Sequence, residues 1–222
     1  GVDTIRGRFV ADRSMKDADL LGEGWCWDDD NPKLSPLSHG RDIAFLERFV
    51  NELSEEGIVL DNIRLSEGSL PHDAYILCSR FHSMDQILQR MMKVSDNFYA
   101  EAMFYQLGAV IGRRPAKAKD AASVVKQLIQ KVGNGKNPYR IADGSGLSLY
   151  NYVTPELEMR LLRYAYRNST IYLHLLPSLP VAGRDGTLKT RMKGTFAEEN
   201  VKAKTGTVTG ISALAGYCTA AN

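Results

Sequence analysis

The stretch Lys93-Val94-Ser95-Asp96-Asn97-Phe98-Tyr99-Ala100-Glu101 interrupts a helical pattern, and its setting decides the fold. Upstream, Ser83 is placed to cap a helix from Met84 to about Val94. Ile87, Leu88, Met91 and Met92 recur on its inner face at helical spacing. Downstream, a second helix runs from Asn97 to Leu107, where Gly108 ends it. A hydroxyl and an amide, Ser95 and Asn97, therefore project from a break between two helices. Ser, Asp and Asn are also ordinary helix caps, and that role is compatible with a chemical one.

Working outward, Ala121 to Val132 reads as a third helix closed by Gly133, and Val124, Val125, Leu128 and Ile129 read as its buried positions. Thr154-Pro155-Glu156-Leu157 opens a fourth, with proline where a first helical position tolerates it. His174 reads as part of a surface helix. A Gly- and Pro-rich passage, Pro177 to Gly194, precedes two strand-like runs, Val201 to Val208 and Ser212 to Ala220. Toward the N-terminus, Thr4 to Ala11 reads as a strand and Leu21 to Leu37 as an irregular loop. Trp25 and Trp27 in that loop read as packing anchors. Arg41 to Glu56 has helical spacing and stops at Gly57; Val59 to Leu65 is a short strand. Helices followed by paired strands predict an α+β fold rather than alternating βαβ units.

Composition narrows the function classes. The chain has 222 residues, 44% hydrophobic and 24% charged, with a formal net charge of +2. That balance supplies a core and gives no strong basic field for nucleic acid. No apolar run approaches the roughly 20 residues needed to span a bilayer. Cys26, Cys78 and Cys218 show no C-x-x-C spacing and read as buried small hydrophobes, with one disulfide as the alternative. The four histidines are scattered, so neither a metal nor an organic cofactor is implied.

Two short motifs carry chemistry. Ser95-Asp96-Asn97 lies at the helix break, and Lys204-Thr205-Gly206 lies on a strand. With S-x-x-K, these are the signatures of the serine β-lactamase and penicillin-binding class. Around them, Lys93 to Glu101 resembles the second motif of the low-molecular-mass penicillin-binding D-Ala-D-Ala carboxypeptidase/endopeptidase family. So do Asp143-Gly144-Ser145-Gly146-Leu147-Ser148 with Val153-Thr154-Pro155, and Leu179 to Leu188. So do Val201 to Thr207 and Gly210 to Tyr217. Five blocks in the family's order make the resemblance specific. It implies a penicillin-binding/serine β-lactamase-like fold, an antiparallel sheet packed on a helical cluster. It also implies a serine-type D-Ala-D-Ala carboxypeptidase, with endopeptidase action as an extension. Its substrates would be peptidoglycan stem peptides, its inhibitors β-lactams, and its place periplasmic or otherwise extracytoplasmic. The catalytic candidates are Ser95, Asn97 and Lys204; the substrate-binding candidates are Thr205, Gly206 and Thr207. Lys204 would attract the substrate's terminal carboxylate, more strongly in a partly dry cleft than in water. The hydroxyls of Thr205 and Thr207 would hydrogen-bond it. The Thr207 N–H would form half of an oxyanion hole. Asn97 would donate to a peptide carbonyl, and Ser95 would pass a proton to the leaving amine. Gly206 would let substrate backbone lie along the strand. The Gly144-Ser145-Gly146 turn would be structural, and Arg184 and Asp185 would pair to hold their loop.

The nucleophile's motif departs from the pattern. No Ser-x-x-Lys precedes Ser95, and the one match, Ser123-Val124-Val125-Lys126, falls after it in a helix. The expectation is a chain incomplete at both ends. Residues 1–80 would be the remainder of an insertion between the first two motifs, and 81–222 part of the peptidase core. Such a chain would be inactive alone and prone to self-association through uncovered strands. Two other readings stay open: a serine β-lactamase, and a non-catalytic peptidoglycan-binding or scaffold protein. Periodicity cannot separate Lys204 from Lys202, because the two share a strand face.

Overall fold

Short-range signals set most boundaries in the computed structural model, which describes residues 1–26, 33–36, 45–133 and 138–220. In chain order the elements are β1 (Thr4–Ala11), α1 (Phe45–Glu55), β2 (Val59–Glu67), α2 (Met84–Lys93), α3 (Asn97–Val110) and α4 (Ala118–Val132). Then come α5 (Pro155–Arg167), α6 (Ser169–Ser178), a 3₁₀ turn (Gly186–Leu188), β3 (Lys202–Val208) and β4 (Ile211–Tyr217). Trp27, Leu37, His39 and residues 41–44 of the expected first helix lie outside the described residues.

Ser83 starts α2 as expected: its Oγ accepts from the Gln86 N–H at 3.3 Å, and the Gln86 side chain accepts from the Ser83 N–H at 2.9 Å. Thr154 caps α5 in the same way, accepting from the Leu157 N–H at 3.2 Å, with Pro155 at the first helical position. Gly108 does not stop α3. A Cβ there would lie 3.2 Å from the Ala121 backbone nitrogen and 3.3 Å from the Ala116 Cβ. The glycine thus allows α3 and α4 to approach closely, and the helix runs on to Val110.

The core gathers on that approach. Phe104, Tyr105 and Ala109 of α3 pack with Ala121 and Ala122 of α4, Ala116 before it, and Leu34 from the N-terminal region. Met15 and Trp25 pack on the same cluster. Lys16 is buried beside it, its Nζ 2.7 Å from Asp17 Oδ1 and 4.4 Å from the Tyr105 ring centre. On α4, Ile129 is buried as expected, whereas Leu128 is 40% exposed because it falls on the outer turn. All three cysteines are exposed, contrary to the buried reading. Cys218 follows the last residue of β4, and Cys26 and Cys78 lie in loops, where no layer covers them.

β1 and β2 pair in parallel, with α1 between them in the chain. β3 and β4 pair antiparallel with Lys202 opposite Tyr217 and Val208 opposite Ile211. This second pair packs on helices. The Tyr217 hydroxyl donates to the Leu162 carbonyl of α5 at 2.8 Å, and its ring lies 5.2 Å from Tyr172 of α6 and 6.4 Å from Tyr166 of α5. The architecture is α+β, with an antiparallel pair laid on a helical cluster.

Candidate active site

The segment between α2 and α3 divides the work of its three motif residues. Asp96 is the cap: its Oδ1 accepts from the N–H groups of Phe98 and Tyr99 at 3.1 and 3.3 Å, and Arg90 Nε donates to its Oδ2 at 2.9 Å. Ser95 is thereby free of the capping duty. Its φ of +59° is in the left-handed region, where a residue with a Cβ is strained. Asn97 begins α3, and its side-chain amide has no hydrogen-bond partner among the described residues.

The opposite wall is β3. Its start is pinned by the Ala203 N–H, which donates to the Pro180 carbonyl at 2.9 Å, and by a bridge between Lys202 and Val181. Lys204 Nζ donates to Ser95 Oγ at 2.7 Å and to the Thr205 carbonyl. Contact across 109 residues of sequence separates Lys204 from Lys202, which periodicity could not do. Burial holds the Lys204 ammonium below the ordinary lysine pKa. Thr205 Oγ1 donates to Thr187 Oγ1 at 2.8 Å. Gly206 and Thr207 are exposed, and a Cβ on Gly206 would meet only the Ala213 Cβ, at 3.7 Å. Internal packing therefore does not require glycine there. Beyond Lys202 the strand edge opposite β4 has no strand partner among the described residues.

Ser123 is not part of this wall. Its Oγ donates to the Asp120 carbonyl at 2.6 Å within α4, a bond that a helix serine makes to its own preceding turn. Two cavities lie away from the pair. One of about 500 Å³ sits between α5 and β4, and one of about 490 Å³ is lined by Met15, Leu34, Ile87, Phe98 and Tyr105. Neither is lined by Ser95 or Lys204, so the site is defined by their contact and not by cavity size.

Further along α3, a second set of contacts centres on Glu101, a residue that no motif had picked out. Glu101, one helical turn after Asn97, is buried, and its Oε1 accepts from the Gly144 and Ser145 N–H groups at 3.0 and 2.7 Å. Its Oε2 has no partner among the described residues. Burial, aided by the neighbouring Asp143 charge, pushes its pKa up to about 7 against the hydrogen bonds. Asp143 in turn accepts from Trp25 Nε1 at 2.9 Å, the Gly146 N–H at 2.8 Å, the Ser148 N–H at 2.6 Å and Asn151 Nδ2 at 2.6 Å. The Gly144-Ser145-Gly146 turn is accordingly a structural device, and Trp25 is an anchor. Asp185 pairs with Lys93 at 2.7 Å, not with Arg184 as expected, because Lys93 reaches it from the end of α2. Glu101 and Lys93 both fall inside the block quoted first. Their signal was helical spacing from Asn97 and adjacency to Ser95.

The model of the D-Ala-D-Ala carboxypeptidase 3 (S13) family matches residues 33–222. The chain belongs to that family. Among S13 relatives, the D-alanyl-D-alanine carboxypeptidase DacB of Haemophilus influenzae is 37% identical over 138 residues, covering 61% of this chain and 29% of the relative. The D-alanyl-D-alanine carboxypeptidase of Actinomadura sp. strain R39 is 38% identical over 153 residues, covering 65% and 28%. This S13 chain thus matches less than a third of the length of these curated relatives. A crystal structure of penicillin binding protein 4 (dacB) from Haemophilus influenzae superposes with a TM-score of 0.82 at 23% identity, covering 99% of this chain and 67% of that one. A second, of the same protein complexed with a β-lactam, gives a TM-score of 0.71 at 31% identity, covering 84% and 43%. The fold is therefore the α+β fold of penicillin-binding proteins. The family matched is one of D-Ala-D-Ala carboxypeptidases. Among the described residues, no helix is long and apolar enough to cross a membrane.

Proposed function

We propose that this chain carries the proton-handling and substrate-binding walls of a serine-type D-Ala-D-Ala carboxypeptidase acting on peptidoglycan stem peptides. Endopeptidase cleavage of cross-links is the same chemistry on a longer substrate. The contact of Lys204 Nζ with Ser95 Oγ at 2.7 Å supports this reading most directly. Because the ammonium donates to Ser95, the hydroxyl proton of Ser95 is free to point away, toward a leaving amine. The lowered pKa of Lys204 makes it an easier proton source to refill Ser95. The edge of β3 that has no strand partner among the described residues can take an extended peptide as an added strand, with Thr205, Gly206 and Thr207 alongside and Asn97 offering its amide. The positive charge of Lys204 suits a terminal carboxylate.

Acyl-enzyme formation needs an activated serine, and Ser123 is held within its own helix, so this chain alone is proposed to bind without acylating. We assign residues 1–80 to the remainder of an insertion and 81–222 to part of the peptidase core, in a protein working outside the cytoplasmic membrane with β-lactams as inhibitors. Ile211 and Leu214 are exposed on β4, whose outer edge has no strand partner among the described residues. Self-association through that face follows, and sedimentation at micromolar concentration tests it.

The functional test is amide NMR of the chain titrated with a diacetyl-Lys-D-Ala-D-Ala peptide. Shifts are expected at Ser95, Asn97 and Thr205 to Thr207, and Lys204→Ala should weaken binding by about tenfold or more. Shifts confined to other surfaces, or binding indifferent to Lys204→Ala, would remove the reading.

A further inference from the structure

The distance between Ser95 and Lys204 is set by a closed ring of contacts that runs through neither residue's own helix or strand alone. Two residues before Ser95, Lys93 Nζ donates to the Leu179 carbonyl at 2.6 Å and to Asp185 Oδ2 at 2.7 Å. The other oxygen, Asp185 Oδ1, accepts from the Val181 N–H at 2.8 Å, so one carboxylate joins the end of α2 to the loop before β3. Backbones meet here too. A Cβ on Gly186 would lie 2.5 Å from the Lys93 carbonyl oxygen, and Gly186 has φ +55°. Only a residue without a side chain lets the turn rest against the end of α2. Two residues after Asp185, Thr187 Oγ1 accepts from Thr205 Oγ1 at 2.8 Å, next to Lys204. The Gly186–Leu188 turn contacts both α2 and β3. The ring therefore reads Ser95, Lys93, Asp185, Thr187, Thr205, Lys204 and back to Ser95.

We propose that Asp185, acting through Lys93, is a positioning residue that holds the Ser95 wall at hydrogen-bonding distance from Lys204. Its catalytic meaning rests on the proposed function above, but the geometric claim does not. Lys93 and Asp185 are partly shielded, with side-chain exposures of 18% and 39%, so the pair is less open to competing water than the surface pair Arg160–Glu156. The pair spans 92 residues of sequence, so it links two elements and not neighbours on one helix. Without it, the segment at Ser95, already in a strained conformation, has less to hold it in place. Lys204 would then exchange its serine partner for water.

The test is ¹³Cε NMR titration of the lysines, with Lys204 assigned by Lys204→Arg. Asp185→Asn keeps the shape of the side chain and removes its charge; Lys93→Met removes the donor. In both, the Lys204 pKa should rise toward the ordinary lysine value. Lys93→Arg, which restores the cation, should leave it near wild type. Glu156→Gln, which breaks the surface pair, should not move it. Should Asp185→Asn fail to fold, Lys93→Met reads the same link from its other end. A Lys204 titration unchanged in the folded Asp185→Asn and Lys93→Met variants overturns the proposal, even if their melting temperatures fall. Peptide binding read in the same samples separates the two claims. If the variants show the titration effect but the wild-type chain binds no D-Ala-D-Ala peptide, the functional reading falls and the positioning role stands.

Discussion

Replacing Glu101 with glutamine should change how stability depends on pH. The carboxyl is buried, its pKa is raised from an ordinary 4.5 to about 7, and the folded state therefore binds its proton more tightly than the unfolded chain does. For a raised carboxyl pKa the penalty is absent below the unfolded value, grows as pH passes from about 4.5 to about 7, and is complete above that. A difference of some 2.5 units corresponds to about 3 kcal/mol, most of it appearing between about pH 5 and pH 8. Glutamine keeps the Oε1 acceptor for the Gly144 and Ser145 N–H groups and never ionises. Its NH₂ would occupy the place of Oε2, which has no partner among the described residues, at a pH-independent cost of about 1–3 kcal/mol. Relative to the variant, wild type should therefore lose about 3 kcal/mol of stability as pH rises from about 5 to about 8. Urea unfolding of both proteins at several pH values measures this. Parallel pH curves, or a wild type that gains on the variant as pH rises, would refute the reasoning.

Three further outcomes follow from the same geometry. Gly144→Ala would put a Cβ 2.5 Å from the Phe104 Cβ and 2.8 Å from the Ala100 carbonyl oxygen. It should cost about 1–3 kcal/mol of stability in urea unfolding. Thr154→Ala removes the cap of α5 and should cost about 1 kcal/mol by the same measurement. Incubation with a penicillin should give no covalent adduct by mass spectrometry; a stoichiometric adduct on Ser123 would show that its helix hydrogen bond is no barrier to activation.

Local rules made much of the fold legible. Thr4 to Ala11 emerged with its bounds because composition and flanking residues agree over a short span. The Ser83 box and Pro155 did the same for α2 and α5. Gly108 misled because a glycine that ends a helix and one that lets another helix approach look alike in sequence. The parallel pairing of β1 with β2, across a loop and a helix, leaves no local mark. At the site, Ser95 and Lys204 were legible through motif resemblance alone, since alternation could not tell Lys204 from Lys202. The Lys93–Asp185 pair spans 92 residues, and the nearer Arg184 was the natural but incorrect partner for Asp185.

The carboxylate of Asp143 has a bearing on how the molecule comes apart. It is buried, and its four donors among the described residues come from Trp25, near the N-terminus, and from Gly146, Ser148 and Asn151. Peeling the early segment away removes the indole donor and admits water to a buried charge, which loosens the remaining three bonds. Pulling the 143–151 loop outward leaves the indole nitrogen without its acceptor. Neither piece can open cheaply while the other stays shut. The N-terminal segment and the loop, 118 residues apart at their point of contact, should behave as one cooperative unit in hydrogen exchange. A protease that nicks the loop would then find the early segment already loosened.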